Sequence, residues 1–122
     1  MIAVKVKPGA RRAFGSALIE LGRVVESLGN NGTAKVLGVS PSLVSRWLKK
    51  TEPISSEKRR AIVDLDFVLN RALQIFTAEQ LSLWLTGNEP HLGGARPIDV
   101  LRLRGPLSVV RALDAVESGA FA

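Results

Sequence analysis

The sequence predicts an all-α protein, with an N-terminal helix-turn-helix bundle followed by a small helical domain. Three observations predict it. Apolar residues recur at intervals of three and four along most of the chain. Gly, Pro and Asn clusters interrupt those runs at spacings that leave helices of ordinary length between them. Nothing alternates polar and apolar residues long enough to build a sheet, apart from IAVKVK at 2–7, which reads as a short strand or a loose arm. The 122 residues suit two small modules sharing a core, divided here at 1–54 and 55–122.

Taken in order, Phe14, Leu18, Leu21, Val25 and Leu28 share one helical face between Arg11 and Leu28, and the GNNG at 29–32 is expected to end that helix. Two short helices follow around GVS at 38–40. After Pro53, Ser55 and Ser56 offer N-caps for a long helix carrying Ile62, Leu65, Leu69, Leu73 and Phe76 on one face. Thr77 and Gln80 have capping-box spacing ahead of LSLWL, giving a helix that ends near Gly87. GNEPHLGGARP at 87–97 reads as an irregular loop. Pro97 suits the first turn of a short helix through Leu103, RGP breaks it, and LSVVRALDAVESG forms a last helix with Gly119 at its end.

Composition excludes several classes of function. Apolar residues are 46% of the chain, enough to bury a core, yet no apolar run approaches the roughly 18 residues of a membrane span. The start MIAVKVKPGARR has no long apolar stretch of the secretory type, so a cytoplasmic location is expected. Zero cysteines remove disulfides, thiol catalysis and thiolate metal sites, and a single histidine argues against a histidine-based zinc site. Tyrosine is absent and no acid/base pair stands out, so the chain is not read as an enzyme, and no catalytic residue, metal or cofactor is assigned.

The net charge of +6 is unevenly placed. Residues 1–12 carry +4 and residues 33–60 carry +5, whereas 13–32 sum to −1 and 61–122 to −2. A basic front and a slightly acidic back suggest two partners, the first of them polyanionic; a solvated charged surface is the plainer alternative.

TAKVLGVSPSLVSRWLKK at 33–50 has the residue types a helix-turn-helix needs. Two helices must cross steeply over a tight turn, with the second lying in the major groove. Ala34 is small where the helices approach, Gly38 sits at the turn where it makes positive φ cheap, and Leu37, Val39, Val44 and Trp47 supply the apolar contacts. Ser40 can cap the second helix and Pro41 suits its first turn. Pro41, Ser42, Ser45, Arg46 and Lys49 remain on the outer face. Arg46 is the best candidate for a base edge, because its planar fork matches the two acceptors of guanine, and Ser42 and Ser45 can reach bases or phosphates. Lys35, Lys50, Lys58, Arg59 and Arg60 suit phosphates. The DNA-binding set is therefore Lys35, Ser42, Ser45, Arg46, Lys49 and Lys50; the competing reading is a helical hairpin with ordinary surface lysines.

The C-terminal stretch carries Trp84-Leu85, then Asn88 and Pro90, Leu92-Gly93-Gly94, Arg96-Pro97-Ile98-Asp99-Val100-Leu101 and Gly105. It finishes with Val109, Leu113, Glu117, Gly119, Phe121 and Ala122. From about Arg59 to the end it resembles the C-terminal toxin-binding domain of the Xre/MbcA/ParS family of antitoxins, which follows an Xre-like helix-turn-helix and pairs with RES-domain toxins. The resemblance implies a homodimer that binds a toxin enzyme consuming NAD, covers the toxin's NAD site with Glu117 to Ala122, and represses its own operon through operator DNA. Trp84, Asn88, Arg96, Pro97, Glu117, Gly119, Ala120, Phe121 and Ala122 are the implied toxin-binding residues. Independently, a helix that ends in GAFA is a poor free terminus and a good apolar plug, although burial within its own dimer would serve equally.

Other prominent residues have plainer readings. His91 lies in a loop with no carboxylate, cysteine or second histidine at ligand spacing, and reads as a surface or hydrogen-bonded loop residue. Gly93-Gly94 lacks the flanking strand and Lys of a phosphate loop and reads as a turn. Trp47 and Trp84 suit the core, and Asp64 and Asp66 point to different sides of one helix. Arg96, Arg102, Arg104 and Arg111 either pair within the chain or meet toxin carboxylates. The main rival to the antitoxin is a plain transcriptional repressor whose C-terminal half dimerises or senses a ligand.

Overall fold

In a computed structural model, the backbone is described over residues 8–120 and the side chains over 17–119. The described residues form six helices and one short 3-10 turn, without strands. Helix α1 runs Pro8–Leu37, α2 Pro41–Leu48, α3 Ser56–Ala72, α4 Ala78–Thr86, α5 Pro97–Arg104 and α6 Leu107–Ala120; the 3-10 turn is Pro90–Leu92. The expected all-α class holds. The N-terminal IAVKVK lies outside the described residues.

The GNNG interrupts the first helix as expected: at Gly29 the backbone leaves the helical region, at φ 78 and ψ 168, and a second helix starts across the kink, so α1 is two helices joined end to end. Positive φ is cheap only for glycine, and the carbonyl left over at the break accepts the hydroxyl of buried Thr33 at 2.7 Å. Gly32 serves a different purpose. A Cβ there would lie 3.3 Å from the Leu28 Cβ and 3.5 Å from the Ser82 Oγ, which marks a close approach between α1 and α4.

Ser55 is the α3 N-cap, its hydroxyl accepting the Lys58 N–H at 3.3 Å. Residues Ile62, Leu65 and Leu69 face inward as expected, but α3 stops at Ala72. Leu73 caps it and is 40% exposed, because the chain leaves the helical spiral there and the periodic stripe no longer points at the core. Phe76, in the turn that follows, packs its ring 5.6 Å from that of Trp84. Both halves of the Thr77/Gln80 capping box form, at 3.2 and 2.9 Å.

One continuous core spans the described chain, from Ala17 and Leu21 on α1 through Val44 and Trp47 on α2, Leu65 on α3 and Leu85 on α4 to Leu101 on α5 and Leu113 on α6. Helix α3, on the C-terminal side of residue 54, packs chiefly against α1 and joins the two halves. A bidentate pair fastens that joint: Arg23 Nε and Nη2 donate to Asp66 Oδ1 and Oδ2 at 3.0 and 2.7 Å. Buried Asp66 is thereby fully committed, and with Asp64 half-buried elsewhere on the helix the two carboxylates do not form a dyad.

Candidate functional site

The second half of α1 and α2 meet across a tight turn at Gly38. Gly38 adopts φ 70, and the turn closes with the Val39 N–H on the Ala34 carbonyl at 3.0 Å and the Gly38 N–H on Lys35 at 3.3 Å. These two bonds form a Schellman motif. Ser40 caps α2 by accepting the Leu43 N–H at 3.1 Å, and Pro41 occupies its first turn. Ala34, Leu37, Val44 and Trp47 are buried between the helices, and Val39 packs against them. Asn30, expected only to help end a helix, reaches across the turn and donates to the Pro41 carbonyl at 3.0 Å.

Ser42, Arg46, Lys49 and Lys50 are exposed on α2 and its end, Lys35 is exposed on the preceding helix, and Ser45 is half-buried. All six predicted DNA-facing residues thus belong to one compact unit. Two of the other phosphate candidates are placed differently. The Lys58 ammonium donates to the Leu37 carbonyl at 3.0 Å, where a cation neutralises the end of the first helix, and Arg59 donates to the Ile54 carbonyl at 2.7 Å. Lys58 thus ties α3 to the end of α1, and Arg59 braces the segment that leads into its own helix. Arg60 is exposed.

The C-terminal site is organised around a residue that sequence reading missed. Glu89 is 4% exposed and inward-facing in the Gly/Pro-rich loop. Its Oε2 accepts the Trp84 indole N–H at 2.5 Å, and its Oε1 accepts the His91 backbone N–H at 2.9 Å and lies 2.5 Å from His91 Nδ1. Burial by itself pushes this carboxyl up, but the His91 backbone and ring contacts and the Trp84 N–H together hold it below the ordinary glutamate range. The expectation that His91 has no carboxylate nearby is therefore corrected: Glu89 stands two residues before it. Its reading as a hydrogen-bonded loop residue stands. The available signal was an acidic residue inside an otherwise Trp-, Gly- and Pro-bounded loop.

The same loop is ordered throughout. Asn88 donates its amide to the Gly94 carbonyl at 2.7 Å, the Glu89 N–H reaches the Ala95 carbonyl at 3.0 Å, and the pair Gly93 and Gly94 turns at φ 68 and 85. Trp84 is half-buried against Phe76, and Pro97 is buried at the start of α5. Trp84, Asn88 and Pro97 thus shape the loop.

The arginines divide into two groups. Arg96 makes a bidentate pair with Asp99 at 2.7 and 2.9 Å, and Arg102 lies 3.7 Å from the same carboxylate. Asp99 is held below its ordinary range mainly by the hydrogen bonds from Arg96. Arg104 and Arg111 make no ion pair among the described residues and flank an open groove of about 450 Å³ between the 3-10 turn, α5 and α6, with His91 at its edge and Val100 and Ala112 in its lining. At the end of α6, Glu117 and Asp114 both receive Arg71 from α3, with the Asp114 bonds at 3.2 and 3.0 Å. Gly119 is exposed within the last helical turn; Ala120 is described by its backbone only, and Phe121 and Ala122 lie outside the described residues. Among the described residues no helix is long and apolar enough to cross a membrane, and no three His, Cys, Asp or Glu side chains gather to hold a metal.

Among the comparisons with known proteins, the family match falls in the same half of the chain. Residues 71–119 match the family model of the antitoxin Xre/MbcA/ParS C-terminal toxin-binding domain, starting later than the Arg59 boundary of the sequence resemblance. The Prs ADP-ribosylating antitoxin of Sphingobium sp. (strain YBL2) is 32% identical over 97 residues, covering 70% of this chain. The chain spans about three fifths of that relative's length, 61%. The fold is shared with a chain of the crystal structure of the M. tuberculosis MbcT-MbcA toxin-antitoxin complex, with a TM-score of 0.63 at 19% identity over 86% of this chain and 96% of that one.

Proposed function

We propose that this chain, whose residues 71–119 belong to the Xre/MbcA/ParS antitoxin C-terminal domain family, is the antitoxin of a toxin–antitoxin pair. The family match over those residues is the observation that carries the proposal. The C-terminal unit, from about residue 55, binds a RES-domain toxin that consumes NAD, and the segment Glu117 to Ala122 covers the toxin's NAD site. The name of the Sphingobium relative refers to ADP-ribosylation, a transfer that draws on NAD, and supports that choice of partner. Arg104 and Arg111, facing the open groove, are the arginines left to meet toxin carboxylates, since Arg96 and Arg102 are occupied by Asp99.

The N-terminal unit, residues 1–54, binds operator DNA and represses the operon that encodes the pair. Its support is the exposed set Lys35, Ser42, Arg46, Lys49 and Lys50 on a geometrically complete helix-turn-helix. The active form is a cytoplasmic homodimer, for which Ile19 on α1 and Phe67 on the adjoining α3, each 60% exposed, offer apolar surface. No part of this role requires the chain to be an enzyme.

The test is co-expression with the product of the neighbouring gene, using the full chain and a version cut after Ser118, while following growth and cellular NAD. Protection by the full chain alone identifies the last residues as the inhibitory segment. A harmless neighbour and unchanged NAD would leave a plain repressor.

A further inference from the structure

The turn that ends α2 is built in an unusual way. The Thr51 N–H bonds to the Arg46 carbonyl and the Lys50 N–H to the Trp47 carbonyl, both at 3.0 Å, which is the Schellman pattern already seen at Gly38. The left-handed residue here is Lys50, at φ 62, the only described non-glycine residue with positive φ. This turn folds residues 51 and 52 back along the exposed side of α2, and the Thr51 hydroxyl adds a second bond to the Arg46 carbonyl at 3.3 Å. Glu52 is thereby delivered to the Arg46 side chain: Arg46 Nε donates to Glu52 Oε1 at 2.8 Å.

The geometry of that contact matters more than its charge. It takes only the inner Nε–H, so both terminal nitrogens of the guanidinium keep their donors for the acceptors N7 and O6 of a guanine. A long side chain that must otherwise be ordered on binding is already held to one direction. We propose that Glu52 is a positioning residue for DNA reading: it fixes Arg46 for a base edge, and so adds to sequence discrimination without touching DNA. This rests on the operator-binding reading above. A carboxylate near DNA would repel phosphates, so its effect on non-specific binding has the opposite sign, and the two effects can be separated.

The experiment uses the full-length chain, a labelled duplex selected by that chain from a random-sequence pool, and a scrambled duplex. Dissociation constants are measured across a salt series for the wild type, Glu52→Ala, Glu52→Gln, Arg46→Ala and the Arg46→Ala/Glu52→Ala double variant. Glu52→Ala is expected to weaken binding to the selected duplex about tenfold and to leave the scrambled duplex equal or tighter. Glu52→Gln, which keeps an acceptor for Nε, should recover most of the loss. In the Arg46→Ala background, Glu52→Ala should change nothing further. An equal loss on both duplexes, an equal loss without Arg46, or tighter binding to the selected duplex each overturns the proposal. If the wild type itself does not distinguish the duplexes, or Arg46→Ala has no effect, it is the operator-binding reading that fails, and the proposal falls with it.

Discussion

Glu89 holds the indole N–H of Trp84 at 2.5 Å from a loop position that is almost fully shielded from water. The carboxylate joins the end of α4 to the 3-10 turn, because its second oxygen takes the His91 backbone N–H. Removing it leaves the Trp84 and His91 N–H donors without their carboxylate partner. Glu89→Ala should therefore cost about 2–3 kcal/mol of stability, read by urea unfolding, and Trp84→Phe less. An effect of Glu89→Ala within a few tenths of a kcal/mol would show that the loop does not depend on this carboxylate.

Acid should unfold the protein partly through the same group. Glu89 and Asp99 both titrate below their ordinary range when folded, so their stabilising contributions are complete above the unfolded carboxylate values near pH 4 and are lost as pH falls through the lower folded ones. Asp64 has the opposite sign. Burial raises it, with Arg60 opposing, so its charge counts against folding once pH exceeds the ordinary value. Thermal melts from pH 7 to 3 should show a shallower acid limb for Glu89→Gln, and Asp64→Asn should raise the midpoint at pH 7 but not at pH 3.

Replacing Lys50 by glycine should relieve the left-handed turn at the end of α2. The expected gain is about 1 kcal/mol in folding, accompanied by weaker DNA binding at low salt because a cation is lost from the basic face. Gly29→Ala, at φ 78 and ψ 168 where essentially only glycine is found, should cost about 1–3 kcal/mol and misplace the second half of α1. Calorimetry and a salt-dependent binding assay check both.

Arg46 and Lys49 should separate cleanly in DNA binding. Arg46→Ala is expected to lose about 1–3 kcal/mol on a selected duplex and little on a scrambled one. Lys49→Ala should weaken both alike and reduce the salt slope by about 1. Equal behaviour of the two variants would remove Arg46 from base reading.

Arg71 is the brace for the end of α6, donating to both Asp114 and Glu117. Arg71→Ala should loosen the last turns of that helix, seen as faster amide exchange there, with little change in global stability because the acidic partners are partly exposed. If the C-terminal segment is the inhibitory element, the same variant should also weaken toxin binding, measured by calorimetric titration.

Much of this arrangement was legible before any coordinates. Ser40, Ser55 and the Thr77/Gln80 pair announce helix starts because an N-cap bonds only two or three residues ahead, and Gly38 announces a turn because its φ is a property of one residue. The GNNG breaks the helix where expected, at Gly29, but the close approach that Gly32 permits to α4 was not legible, because it depends on a distant helix. His91 misled because the buried Glu89 looks, in sequence, like any loop acid.

From the sequence came the helical class, most helix limits, the tight turn at Gly38 and the family resemblance of the C-terminal half. Each rests on patterns repeated over a few residues or on motif spacing. Which charges are already occupied follows from the packing of the helices. Arg71 meets carboxylates 43 and 46 positions away, Arg23 meets one 43 away, and Lys58 reaches a carbonyl 21 away. Those meetings depend on how helices cross in space, and a pattern of local spacing carries no information about the crossing angle that brings two distant side chains within 3 Å or so of each other.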